Sequence, residues 1–172
     1  MITAYIALGS NQQCPEEQLR RAVKAIGQLG GSRILQVSPV YRSAAVGPGE
    51  QPDYLNAAAV IHWPGDLPAL LARCRELEVA AGRDRATEER WGPRVLDLDL
   101  LLADGVVCRG PMLEVPHPRF HERRFALEPA AEVAPEWVHP LLGRSVSELA
   151  EAARPAVDDG TVRVLEPDVE EG

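Results

Sequence analysis

Trp91-Gly92-Pro93-Arg94-Val95-Leu96-Asp97-Leu98-Asp99-Leu100-Leu101-Leu102 is the stretch on which the fold turns. Residues 95–102 read as a strand, in which alternate residues share a face. Asp97 and Asp99 then point one way, and Leu96, Leu98 and Leu100 the other. Asp is a poor strand former. The segment is therefore either an amphipathic strand with its acids in water or a strand that presents a ligand site. At about 3.3 Å per residue the carboxylates stand about 7 Å apart. That spacing can grip one or two hard cations; magnesium prefers such sites, completed by phosphate oxygens and water.

Upstream of this strand lies a polar loop, residues 83–93, in which Arg83, Arg85 and Arg90 lead up to Arg94. Arginine's planar fork suits bidentate phosphate binding. Lys24 is the only lysine among 18 basic residues, and no Gly-x-x-x-x-Gly-Lys-Ser/Thr run occurs, so a Walker-type phosphate cradle is excluded. A nucleotide triphosphate would have to be held by arginines and metal.

Further outward, residues 3–8 read as a buried strand closed by Gly9-Ser10-Asn11. Pro15, Glu16 and Glu17 start a helix with Leu19, Val23, Ile26 and Leu29 at helical spacing, ended by Gly30-Gly31. Strand patterns follow at 33–41 and 54–63, separated by a Gly- and Pro-containing loop at 43–53. A second helix begins near Asp66, with Gly82 just past its end. Asp104-Gly105 predicts a hairpin joining the 95–102 strand to one at 106–109. Helical stretches follow at 121–132 and 147–153. The order β-α-β-β-α-β predicts an α+β fold: a ferredoxin-like sheet with helices on one face, plus additional C-terminal elements. Residues 1–160 are expected to form a single catalytic domain and 161–172 an acidic, flexible tail.

The chain has 172 residues and a net charge of −8. That balance argues against a nucleic-acid partner. The N-terminus has no secretory signal pattern, no apolar run approaches the roughly 20 residues of a membrane span, and Cys14, Cys74 and Cys108 read as reduced thiols. A cytoplasmic monomer without membrane contact is expected. A ferredoxin-like RNA-binding module would need a basic sheet face with exposed aromatics, which the two acids contradict. A nucleotidyl or glycosyl transferase using an Asp-x-Asp pair remains an alternative.

Four motifs, in order, carry a resemblance: Gly9-Ser10-Asn11; Gln51-Pro52-Asp53-Tyr54-Leu55-Asn56-Ala57; Arg90-Trp91-Gly92-Pro93-Arg94 with Leu96-Asp97-Leu98-Asp99; and Val115-Pro116-His117-Pro118-Arg119 with Arg123 and Phe125. Together they resemble the hydroxymethyldihydropterin pyrophosphokinases of the folate pathway. The resemblance implies transfer of pyrophosphate from ATP to 6-hydroxymethyl-7,8-dihydropterin, releasing AMP. It implies two Mg2+ ions on Asp97 and Asp99, with Arg83 and Arg94 as further catalytic residues. It places Glu78, Arg85, His117 and Arg123 at the ATP, and Ser43, Val46, Tyr54, Asn56, Trp91 and Phe125 at the pterin. Met112 and Glu114 stand where some members carry nucleotide-contacting residues, and Ala44-Ala45 where some carry prolines.

Overall fold

Three long antiparallel strands, buried over most of their length, organise the molecule. The structure is a computed structural model describing residues 1–47, 49–88, 92–156 and 160–165. Strand β1 (Ile2–Ser10) lies between β4 (Tyr54–Trp63) and β5 (Asp97–Ala103), antiparallel to both. Strands β2 (Arg33–Val37) and β3 (Val40–Ser43) share the far edge of β4. Helix α1 (Pro15–Gly27) crosses from β1 to β2, and α2 (Leu67–Ala80) from β4 to β5. This is the split βαβ arrangement expected from the element order.

Ala4, Ile6 and Leu8 of β1, Ala57, Ala59 and Ile61 of β4, and Leu98 and Leu100 of β5 form one buried face against Leu19 and Ile26 of α1 and Leu70 and Cys74 of α2. The helices start where their chemistry predicts. Glu16 and Glu17 sit in the first turn of α1, and the Asp66 carboxylate accepts the Ala69 amide at the start of α2 (2.8 Å). The C-terminal additions cover the opposite face. Helices α3 (Arg124–Val133) and α4 (Val146–Ala156) pack on Tyr5, Ala58, Val60, Leu101 and Leu102. The Tyr5 hydroxyl donates to the Ala126 carbonyl (2.8 Å), and its ring meets Phe120, in the short 3-10 turn before α3, at 5.7 Å. The sheet is thus covered on both faces, with α1 and α2 alone on the face expected for the ferredoxin-like core.

A bulge lets β5 serve both layers. Tyr5 pairs with Leu102 but Ile6 pairs with Leu100, so Leu101 is extra. Leu96, Leu98 and Leu100 face α1 and α2, whereas Leu101 and Leu102 both join the α3–α4 layer.

Three expectations are corrected. The strand expected at 33–41 breaks at Ser38-Pro39, because proline offers no ladder amide. Ser38 bridges the break: its amide donates to the Ala58 carbonyl (2.9 Å) and its hydroxyl accepts the Ala58 amide (2.8 Å). Asp104-Gly105 does turn the chain, with Gly105 at φ 65. Yet Cys108–Arg109 (β6) pairs with Glu114–Val115 (β7) rather than with β5. The outer edge of β5 is taken instead by the next segment, where the His117 amide donates to the Leu101 carbonyl (2.8 Å). Finally, residues 162–165, assigned to a tail, form β8 (Val162–Leu165), antiparallel to β3. Residues 166–172 of that tail lie outside the described residues.

Glu128 ties α3 to α4. Its almost fully buried carboxylate accepts two bonds from Arg154, at 2.8 and 2.9 Å, and one from Arg124 at 3.3 Å. Those arginines hold it below its ordinary value of 4.5, against burial. A carboxylate with a lowered folded pKa adds stability that is complete above its unfolded pKa and fades as the pH falls through the folded one. Glu128→Gln is therefore expected to cost about 2 kcal/mol at pH 7. The deficit should shrink as urea melts are taken below pH 4.5; a deficit that stays constant into acid would contradict the assignment.

Candidate active site

The register of the sheet lines up one row of side chains on its α3 face: Asp97 opposite Gly9, Gly9 opposite Asn56, and Asn56 opposite Tyr41. The next row is Asp99, Ala7 and Ala58. Between the acids and Asn56 the floor therefore carries only the hydrogen of Gly9 and the methyl of Ala7. Beside the start of α3 these rows border a cavity of about 520 Å³. Across the sheet Asp97, Asp99 and Arg94 stand towards one end and Ser43, Tyr54 and Asn56 towards the other, while Arg123 and Phe125, 6.0 Å apart, line the cavity from the start of α3 and Val46 also lines it.

Each acid is already paired. Arg94 Nη1 lies 2.9 Å from Asp97 Oδ1, and Arg123 Nη1 lies 3.4 Å from Asp99 Oδ2. The Arg123 guanidinium also sits 6.0 Å from the centre of the Phe125 ring. Asp99 keeps 40% of its side chain exposed. Partial withdrawal from water and the neighbouring Asp97 push it up to about 6, against Arg123 and Arg94.

Behind Asp97 lies a buried charge cluster. Gly82, at φ 99, turns the chain at the end of α2, so that the Arg83 amide donates to the Glu78 carbonyl (3.0 Å). The Arg83 side chain, only 2% exposed, places Nη1 2.6 Å from both Glu78 Oε1 and Asp97 Oδ1. Its other edge meets Glu88, with Nε–Oε1 at 2.6 Å and Nη2–Oε2 at 3.0 Å. Burial pulls this guanidinium down, but Glu88, Asp97 and Glu78 together raise it above its ordinary value. The Glu78 side chain is 1% exposed. It also accepts the Leu98 amide (2.8 Å), the backbone link between the two acids, and the Arg85 guanidinium. Burial pushes Glu78 up, with the Leu98 amide, Arg83 and Arg85 opposing.

The turn after β1 clamps the other side of the strand. The Ser10 hydroxyl donates to the Val95 carbonyl (2.5 Å). Asn11 exchanges backbone and side-chain bonds with Arg94: its Oδ1 accepts the Arg94 amide (2.8 Å) and its own amide donates to the Arg94 carbonyl (3.0 Å). Its Nδ2 donates to the Pro52 carbonyl (3.1 Å). Opposite, Asn56 Nδ2 donates to Ser43 Oγ (2.8 Å), and a Cβ on Gly9 would stand 3.6 Å from Asn56 Oδ1. The carbonyl end of that amide therefore faces the floor of the cavity. The Tyr54 hydroxyl donates to the Gly92 carbonyl (3.2 Å).

The structure thus brings Asp97, Asp99, Arg94, Arg123, Ser43, Val46, Tyr54, Asn56 and Phe125 to one cavity. It places others elsewhere. Arg83 and Glu78 are buried behind Asp97, so neither presents a free group to the cavity. Arg85 is half-exposed on Glu78. His117 covers the β5 edge, its Nδ1 accepting the Arg119 amide (3.1 Å), and burial with Arg123 and Arg119 lowers it to about 4. Trp91 lies outside the described residues. Asn11, Arg119, Glu122 and Arg124 were given no role from sequence. The last three line the cavity; Arg119 stands in the fourth motif, and Glu122 and Arg124 flank Arg123 in the sequence.

Fold and cavity define a small α+β protein whose cleft pairs an acid-and-arginine side with a side of amide, hydroxyl and aromatic groups. The chain belongs to the 7,8-dihydro-6-hydroxymethylpterin-pyrophosphokinase (HPPK) family, whose model matches residues 5–135. It is 44% identical over 140 residues to the 2-amino-4-hydroxy-6-hydroxymethyldihydropteridine pyrophosphokinase of Haemophilus influenzae, covering 81% of this chain and 86% of that one. The protein of the same name from Pseudomonas aeruginosa is 40% identical over 148 residues, covering 86% and 90%. A crystal structure of HPPK-DHPS from Plasmodium falciparum superposes with a TM-score of 0.68 at 10% identity, covering 94% of this chain. This chain spans 48% of that longer one. An HPPK-DHPS structure in complex with substrates gives a TM-score of 0.69 at 9% identity, covering 91% of this chain and 46% of that one. The likeness to these solved structures is one of fold. Membership in the family makes the chain an enzyme of the pyrophosphokinase class, and among the described residues no helix is long and apolar enough to cross a membrane.

Breaking a buried ion pair by removing one partner leaves an uncompensated charge. Glu78→Gln is expected to lower stability by about 3 kcal/mol, more than Arg85→Ala, which removes only the half-exposed partner. Urea denaturation of the two variants side by side checks this order. Equal, small losses would mean that Glu78 is not the centre of the cluster.

Proposed function

We propose that this chain transfers the terminal pyrophosphate of ATP to the exocyclic hydroxyl of 6-hydroxymethyl-7,8-dihydropterin, releasing AMP, and that Asp97 and Asp99 hold two magnesium ions. The observation that carries the reading is the two-sided cavity of a chain in the HPPK family. Acids and arginines on one side suit a metal-bound polyphosphate. Asn56, Ser43, Tyr54 and Phe125 on the other suit a flat, hydrogen-bonding bicycle.

The donor set fits the metal. Two carboxylates on one strand face offer hard oxygens with room beside them, and magnesium takes one or two such ligands and completes its shell with phosphate and water. Among the described residues no group of three or more His, Cys, Asp or Glu forms a closed metal cage, which suits ions shared with a substrate. When bound, the ions neutralise phosphate charge and lower the pKa of the attacking hydroxyl.

The chain's own side chains do the positioning. Arg94 and Arg123 meet the acids at the polyphosphate end, where they stabilise charge on the transferred group and on the departing AMP oxygen. Asn56, with its amide nitrogen held by Ser43, offers its carbonyl as an acceptor for the pterin's N–H edge. Phe125, with Trp91 assigned to the same role, supplies an aromatic face. Glu78 and Arg83 orient the strand residues that carry the chemistry; the buried cluster supports this positioning role for both over direct contact with ATP.

Incubating the protein with ATP, magnesium and hydroxymethyl-dihydropterin should yield AMP and a pyrophosphorylated pterin in equal amounts. Appearance of ADP, or of free pyrophosphate with a nucleotidylated product, would sink the reading. Asp99→Asn should reduce turnover at least about 100-fold with little change in melting temperature, since Asp99 is partly exposed and, among the described residues, forms its ion pair with Arg123. Near-normal turnover at saturating magnesium would remove Asp99 from the metal site.

A further inference from the structure

Strand β3 has four residues and pairs with β4 at Tyr41, Arg42 and Ser43. Its last residue holds Asn56 at the cavity wall. Beyond it the chain leaves the sheet through Ala44 and Ala45, with no proline to restrict φ, and then through Gly47 and Gly49 at φ 154 and 75. That wall is therefore fixed by β3, and so short a ladder is weak by itself.

The other edge of β3 is occupied by β8, with Val40 opposite Leu165, Tyr41 opposite Arg163 and Arg42 opposite Val162. Two side chains from this pair converge on α3. The Tyr41 hydroxyl donates to Glu132 Oε1 (2.5 Å), and Arg163 Nη1 stands 4.0 Å from the same oxygen. Helix α3 begins with Arg124 and Phe125 at the cavity. Strand β8 thus sits where the Ser43–Asn56 wall is joined to the helix carrying Phe125. The acids lie on β5, at the opposite edge of the sheet.

We propose that β8 is a positioning element for the pterin end of the cavity: by pairing with β3 it sets the spacing between the Ser43–Asn56 wall and Phe125, more than the placement of the acids on β5. This rests on the reading of the cavity as a pterin site.

The test uses the full-length chain with Arg163→Pro and Val164→Pro together. In an antiparallel ladder alternate residues direct their amides at the partner, so one of two adjacent prolines must remove a bond to β3. Arg163→Ala and Tyr41→Phe leave the backbone intact and each removes a side-chain link to Glu132. Binding of hydroxymethyl-dihydropterin and of a non-hydrolysable ATP analogue with magnesium is titrated separately, alongside thermal melting. The double variant should bind pterin about tenfold more weakly, through lost preorganisation, with nucleotide affinity much less affected. The two single variants should show a smaller loss, again greater for pterin. Unchanged pterin affinity in a folded double variant, or equal weakening of both ligands, overturns the proposal. If the double variant does not fold, the single variants decide it: pterin-specific weakening upholds it and no weakening overturns it. A parent chain that binds no pterin takes down the functional reading as well, whereas a parent that binds it and variants that do not differ take down this inference alone.

Discussion

Burying a carboxylate and a guanidinium together is costly unless every bond of both is met, and the Glu78–Arg83 pair meets them only in one arrangement. Glu78 needs the Leu98 amide, and Arg83 needs Asp97 and Glu88. The end of α2, the start of β5 and the loop that follows Gly82 must therefore come together at once. What holds the first acid of the site in place is the same set of bonds that makes the burial tolerable. The orientation of Asp97 is in this sense a by-product of a folding requirement, and the cleft inherits its rigidity from the core behind it.

On the cleft side, the sheet contributes by having almost nothing there. Gly9 and Ala7 separate the acids from Asn56 across adjacent strands, so a ligand can lie on the sheet itself. The two ends of the cavity differ in chemistry. Charged groups beside the α2 cluster line one end. Neutral groups line the other, oriented by a hydroxyl–amide contact and a strand edge.

Much of this was legible in the sequence where the deciding information is local. The 96–100 alternation set the two faces of β5, and Pro15, Asp66 and Gly82 marked helix ends, because these signals act within a few residues. The motifs singled out Asn56, Arg94, Asp97 and Asp99, all of which line the cavity. What stayed hidden depends on partners far along the chain. Arg83 resembles any other arginine of its loop until Glu78 and Asp97 surround it, and nothing near it in sequence signals burial. Residues 162–165 read as part of an acidic tail because edge pairing with β3 leaves no periodic trace in four residues. The Asp104-Gly105 turn formed without its hairpin, since the edge of β5 was claimed by a later segment.

The extra residue at Leu101 has a bearing on how the chain can vary in length. Asp97 and Asp99 precede it, and Leu102, which fills the α3 layer with Tyr5, follows it. Gaining or losing one residue between 97 and 102 would shift the phase of everything downstream, turning a leucine out to water or an acid into the core. Insertions and deletions should therefore be purged from this strand, even where the residues gained or lost are themselves apolar.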